Sequence, residues 1–247
     1  MNIAVMNFSG NVGKSTIARH LLAPRIRDAK VIAIESINAD DGAQETDEKL
    51  RGRQFSELQA RLLSGDNVVV DVGASNVESF VALMSEFDGS HDDFDLFVVP
   101  VVSAEKQQRD TVATLLNLAN MGIDRERIVV VFNQVDRVLG FQESQFNSIF
   151  SFYDQTRSFR LDRDAVLYQS DVYKYAADAG RSMHDVLTDP TDYKSAIAKT
   201  PAGTEKNRLV ALLGLRRLAL RVNAELDAVF EAIVRPAVAV VAGARDE

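Results

Sequence analysis

The stretch "NIAVMNFSGNVGKSTIARHLL" (residues 2–22) sets the reading of the whole chain. It opens with an apolar run, "NIAVM" (2–6), crosses a turn holding Gly10 and Gly13, and resumes with apolar residues at helical spacing. A strand, a tight loop and a helix in that order is the arrangement in which backbone N–H groups and a helix start surround phosphate oxygens. Gly13-Lys14-Ser15 supplies the ending such a loop requires. Lys14 would reach the β- and γ-phosphates, Ser15 would ligate Mg²⁺, and the Thr16 hydroxyl would lie near the α-phosphate. The full pattern also asks for glycine five positions before Gly13, and Phe8 stands there.

Outward from this stretch, five further β-branched runs recur: "KVIAIE" (30–35), "NVVVDV" (67–72), "DLFVVPVV" (95–102), "RIVVVF" (127–132) and "AVLYQ" (165–169). They are almost wholly apolar and lack period-two alternation, as expected of parallel strands covered by helices on both faces. Helical patterns fall between them at 15–23, 54–64, 76–87, 105–120 and 142–155. The βαβα order predicts a doubly wound α/β fold with a mostly parallel sheet. No repeat or low-complexity linker divides the chain, so one domain over 1–247 is expected, with a helical extension from about 203 to 235 and a short tail, 236–247. In the extension, Leu212, Leu215, Ala219, Val222, Leu226, Val229 and Ile233 form one stripe, which would dock on the domain or, less simply, form a helix–helix dimer seam.

Composition narrows the function classes. Hydrophobic residues make up 46% and charged residues 26%, the balance of a globular protein. No apolar run approaches the roughly 20 residues that span a bilayer. The N-terminal stretch is interrupted by Asn7, Ser9 and Asn11, unlike a signal peptide, so a cytoplasmic location is expected. With no cysteine, thiol catalysis and cysteine–zinc sites are excluded, and the three histidines share no metal-ligand spacing. A net charge of −8 argues against wrapping nucleic acid with the whole surface but allows a local basic patch that meets DNA.

Two more segments bear on chemistry. In "NVVVDVGASN", Asp71 ends an apolar run and is the candidate for holding Mg²⁺ through water, while Gly73 would let the backbone approach a γ-phosphate. In "IVVVFNQVD", Asn133 ends a strand where α/β sheets contact a nucleobase, and Asn133 to Asp136 approximates the N-K-x-D signature that reads guanine. An acid there accepts from guanine N1 and N2, a pair of donors adenine lacks. Gln134 replaces the lysine of that signature, so ATP and GTP both remain open.

Together, Ser9-Gly10-Asn11-Val12-Gly13-Lys14-Ser15-Thr16, "DVGAS", "FVVPVVSAEKQQRDTVATLLNLANMG" and "AADAGRSMHDVL" resemble the deviant Walker ATPases of the ParA/MinD superfamily. Within it the chain is most similar to the plasmid-encoded StbB proteins of plasmid stability and conjugative transfer. The resemblance implies ATP with Mg²⁺, a nucleotide-dependent homodimer, a plasmid-encoded partner protein and catalytic roles for Lys14 and Asp71. It also exposes two departures. Ser9 stands where the superfamily has a signature lysine that reaches the partner's phosphates, and a charge delivered in trans is worth roughly 10³–10⁵ in rate for arginine fingers. Glu35-Ser36-Ile37-Asn38 replaces D-x-D-P, so Ile37 takes the place of the acid that positions water; Asp40 or Asp41 would have to substitute. The expectation is a slow or partner-activated ATPase switch. A GTPase, a non-hydrolysing nucleotide-binding adaptor and an ATP-dependent ligase on the same fold are the competing readings.

Overall fold

The computed structural model of the protein describes residues 1–34 and 47–235. Asp40, Asp41, the 35–38 departure and the 236–247 tail lie outside the described residues. All six apolar runs form strands: β1 (Asn2–Val5), β2 (Lys30–Ile34), β3 (Val68–Val72), β4 (Leu96–Val101), β5 (Ile128–Val135) and β6 (Val166–Tyr168). They make one sheet in the order β2-β3-β1-β4-β5-β6, every pairing parallel. The doubly wound α/β class expected from the sequence is the class observed.

Side-chain alternation divides the strands other than the edge strand β2 between two cores. Ala4 and Met6 join Val68, Val70, Phe97 and Val99 on one face, whereas Ile3 and Val5 join Val69, Val98, Val129 and Leu167 on the other. Both faces are dry there, which is why these strands read as continuous apolar runs, while β2 is half-buried to exposed. The first face is covered by α2 (Asp47–Leu62), α3 (Val77–Glu86), α4 (Glu105–Asn120) and α5 (Asn147–Thr156), through residues such as Phe55, Phe80, Leu115 and Ile149.

The handedness of crossovers explains the division. From β2 onward each connection moves across the sheet in one direction, so a right-handed crossover puts α2 to α5 on the same face. Only β1 to β2 moves the other way, leaving the first helical segment, α1 (from Lys14 to Arg25), alone on the opposite face. The C-terminal segment fills that deficit with α6 (Val172–Asp178), α7 (Met183–Thr188), α8 (Tyr193–Lys199) and the long α9 (Thr204–Val234). The docking expected of the α9 stripe is present. Leu215, Ala219, Val222, Leu226, Val229 and Ile233 are buried against Ile17, Leu21, Val129 and Val131, while Leu212 is half-buried.

Two arginines fix α9 at separate points. α1 starts as Lys14–Thr16, widens into a π-helical turn over Ile17–Leu22 and ends in a 3-10 turn, Ala23–Arg25. Pro24 has no N–H to offer the carbonyl of His20, and Arg25 donates to that carbonyl instead at 2.9 Å. The same guanidinium reaches the Asn223 carbonyl at 3.1 Å and Asp227 at 2.8 Å on α9. At the far end Arg160 donates to the carbonyls of Ala232, Ile233 and Arg235, groups a helix C-terminus leaves without partners.

Candidate functional site

The loop after β1 is held from both sides. Asn7, fully buried, donates to the Pro100 carbonyl at 2.8 Å and to Thr111 Oγ1 at 2.7 Å, and its own Oδ1 accepts from the Ser9 N–H at 2.7 Å. Thr114 Oγ1 accepts from the Phe8 N–H at 3.1 Å. These contacts fasten the descending leg of the loop to β4 and α4. The ascending leg hangs from β5, where Asn133 Nδ2 donates to the Val12 carbonyl at 2.8 Å and Gln134 Nε2 donates to the Asn11 carbonyl at 3.0 Å. Asn11 (φ 59°) and Gly13 (φ 87°) both take left-handed backbone, which turns the chain into α1.

Lys14 is the first residue of α1 and is 8% exposed. Its ammonium donates to the carbonyls of Ser9 at 2.7 Å and Asn7 at 3.1 Å. Burial lowers its pKa, and the charge of Asp71 works in the opposite direction. Asp71 lies level with Val5, the last residue of β1, because the parallel register pairs the two. It is 5% exposed, and its Oδ1 has no hydrogen-bond partner. A buried acceptor without a partner is costly and is kept where something else satisfies it. Ser15, Gly10 and Asn11 are exposed and Thr16 is half-buried, so the loop presents hydroxyls and backbone at the surface beside the buried Lys14.

The structure therefore brings together Ser9, Gly10, Asn11, Val12, Gly13, Lys14, Ser15, Thr16, Asp71 and Asn133. It gives other tasks to two residues singled out in the sequence. Gly73 donates its N–H to the Ile34 carbonyl at 3.0 Å, and a Cβ at position 73 would stand 3.0 Å from that oxygen, so the glycine permits close approach to the end of β2. Asp136 is exposed, and its Oδ1 accepts from the N–H groups of Val138 at 2.7 Å and Leu139 at 2.9 Å, closing a turn.

Sequence reasoning missed Asn7, Thr111 and Thr114 as loop anchors. A polar residue closing an apolar strand, as Asn7 does, was the available signal. It also missed a cluster beyond Thr16, where Arg137 meets Glu225 of α9, Tyr168 ends β6, and Tyr173 stacks on His20 with ring centroids 4.5 Å apart. Burial pushes the Tyr173 phenol up to about 12, and burial followed by the charge of Arg19 lowers His20.

No protein-family model and no curated protein matches the chain. Among solved structures it is similar to the MinD cell division protein of Aquifex aeolicus (14% identity, 88% of this chain and 95% of that one, TM-score 0.47). It is also similar to an ATP complex of McdA from Cyanothece (13% identity, 90% and 96%, TM-score 0.45) and to apo McdA (13%, 89% and 98%, TM-score 0.49). At this level of likeness no residue's role passes from those proteins to this chain. Among the described residues no helix is long and apolar enough to cross a membrane, and no three His, Cys, Asp or Glu side chains gather as a metal site.

Proposed function

We propose that the loop 9–16 holds the phosphates of a nucleoside triphosphate with Mg²⁺, and that the protein is a ParA/MinD-like ATPase switch of low intrinsic rate. The observation that carries this reading is the pairing of a buried lysine with a buried acid that has an unpartnered oxygen. Lys14 rests on two loop carbonyls that a phosphate can replace, and Asp71 Oδ1 lies ready to accept from cation-bound water. With Ser15 as a hydroxyl ligand and Asp71 as an outer-shell acceptor, the donor set suits Mg²⁺, which keeps several waters and takes the rest of its oxygens from phosphates. When bound, the ion would neutralise phosphate charge. Lys14 and the backbone N–H groups of 10–16 would bind and orient the triphosphate.

Among the described residues, Lys14 is the cation that the loop itself supplies. Ser9 is buried, with its N–H on Asn7 and its carbonyl on Lys14. Three of the four arginines of α9 have engagements of their own: Arg208 with Glu205, Arg216 with the Thr191 carbonyl and Arg221 with Glu225. Slow hydrolysis until a partner or a second copy acts follows from this shortage. Asp40 as a water-positioning acid, a nucleotide-dependent homodimer, one nucleotide-binding domain over 1–247, a cytoplasmic location, and an StbB-like role in plasmid stability, partition or conjugation belong to the same proposal. So do a plasmid-encoded partner and DNA contact through the basic first half of α9. Adenine is favoured over guanine, since one oxygen of Asp136 is already taken by the turn it closes.

Titration with a fluorescent ATP analogue tests the core of the reading. Lys14→Ala removes a charge-assisted hydrogen bond of roughly 1.5–3 kcal/mol and is expected to weaken binding about 10- to 150-fold. Unchanged affinity in a folded variant refutes the assignment. Unlabelled ATP should displace the probe at least as well as GTP, whereas a tenfold advantage for GTP would assign Asp136 to a guanine base.

A further inference from the structure

Next to the phosphate loop lies a cavity of about 30 Å³, bounded by Thr16 and Asn133 at the loop end and by Tyr168, Tyr173, Val222 and Glu225 beyond. That space holds about one or two waters and no nucleobase. Its inner walls belong to the core and cannot yield cheaply: Ile17, Leu21, Val222 and Leu226 are all within 4% of complete burial. Its outer wall is of another kind. Arg137, just past β5, donates from both terminal nitrogens to the two oxygens of Glu225, at 2.6 and 2.9 Å, and its guanidinium lies 5.0 Å over the Tyr168 ring. Arg221 adds a contact to Glu225 at 3.2 Å. The side chains of Arg137 and Glu225 are 29% and 26% exposed, so both can swing into water without disturbing the core.

The strand order gives this cavity its place. Asp71 lies one residue before the end of β3, on one side of β1, while β5 and β6 lie on the other. A triphosphate on Lys14 with its terminal phosphate toward Asp71 therefore runs its nucleoside toward Thr16 and the cavity. We infer that the Arg137–Glu225 pair is a clasp that shuts the base end of the nucleotide site and must open to admit a purine. This inference rests on the nucleotide reading above. Opening frees the face of Tyr168 for stacking on the base. It also releases α9 from the turn after β5, so occupancy of the base end is transmitted to that helix. A site open only part of the time binds with its intrinsic affinity multiplied by the open fraction. Breaking the clasp should therefore tighten binding, the reverse of what removing a ligand contact does.

The experiment measures affinity and association rate of a fluorescent ATP analogue for wild type, Glu225→Gln, Arg137→Gln, the charge-swapped double variant (Arg137→Glu with Glu225→Arg) and Lys14→Ala. Each single clasp variant is expected to bind about three- to tenfold tighter, mainly through faster association, and the swap should return toward wild type. If Arg137→Gln unfolds, Glu225→Gln alone tests the same point. Equal or weaker binding by the clasp variants, with Lys14→Ala still defective, overturns the clasp and leaves the nucleotide reading standing. Binding by none of the proteins overturns both.

Discussion

Asn133 and Val12, 121 positions apart in sequence, are joined by a 2.8 Å hydrogen bond that suspends the loop after β1 from β5. The same amide limits what can stand beside it, because a Cβ on Gly13 would lie 2.1 Å from Asn133 Nδ2. Gly13→Ala is therefore doubly penalised, by this clash and by its left-handed backbone. Asn133→Ala leaves the Val12 carbonyl without its donor and should cost about 1–3 kcal/mol in denaturant unfolding, with nucleotide affinity falling as well. If Gly13→Ala kept both stability and affinity, the tight packing of loop on strand would be refuted.

Asp71→Asn should weaken both stability and metal response. The substitution leaves the buried Lys14 ammonium without the opposing charge of Asp71, so the thermal midpoint is expected to fall. It also removes an outer-shell acceptor, and the Mg²⁺ concentration that half-saturates nucleotide binding should increase about 10- to 100-fold. Titrating Mg²⁺ against the fluorescent analogue, beside a melting curve, measures both. An unchanged Mg²⁺ midpoint would exclude Asp71 from cation binding.

Ser9→Lys tests the shortage of positive charge. Ser9 uses its backbone N–H and carbonyl inside the loop, bonds that a lysine at this position also makes. Phosphate release should rise by tenfold or more, approaching the roughly 10³–10⁵ associated with trans-acting cations only where two copies meet. Affinity should change less than turnover. Rapid release by unmodified protein without any partner would contradict the low intrinsic rate.

His20 gives stability a dependence on pH. Its folded-state pKa lies below the unfolded value of about 6.5, because burial and Arg19 both disfavour the charged ring. Above about pH 6.5 the ring is neutral in both states and contributes nothing. As pH falls through that value the unfolded chain takes up the proton first, so stability declines. Between about pH 7 and 5, His20→Gln should flatten this decline, at the cost of the stack on Tyr173. Asp189, held far below the usual carboxylate range by hydrogen bonds from Thr191, Tyr193 and Arg181, titrates in a separate, more acid window. An equally steep curve for His20→Gln would assign the decline to other groups.

The sheet was readable in the sequence because burial on both faces writes its central strands as unbroken apolar runs, and α9 because its stripe, Leu212 to Ile233, repeats over about six turns. The helices α6, α7 and α8 are six or seven residues long, too short for a period to declare itself. The turn at Gly13 and the helix start at Lys14 were legible because the strand, the loop and the helix follow one another directly in sequence. The loop's anchors were not, since Asn7 meets Thr111 across 104 positions and Arg137 meets Glu225 across 88. No local pattern encodes such meetings. They depend on which strands become neighbours, and Gly73 shows the converse, a locally suggestive residue whose task was set by a distant strand.

The strand order also sets a timetable for synthesis. β1 is made first, yet its neighbours are β3 and β4, so it has no sheet partner until Val68–Val72 and then Leu96–Val101 leave the ribosome. The loop that follows it gains its second support only when Asn133 emerges. At about 5–20 residues per second, Gly13 waits roughly 6–24 s for that support. During that interval the turn at Gly13 is held at most on its Asn7 side, by Pro100, Thr111 and Thr114 once these have emerged. Codon choice or pausing between positions 70 and 133 would thus change how long the partly braced segment is exposed to proteases and chaperones, while leaving the finished protein the same.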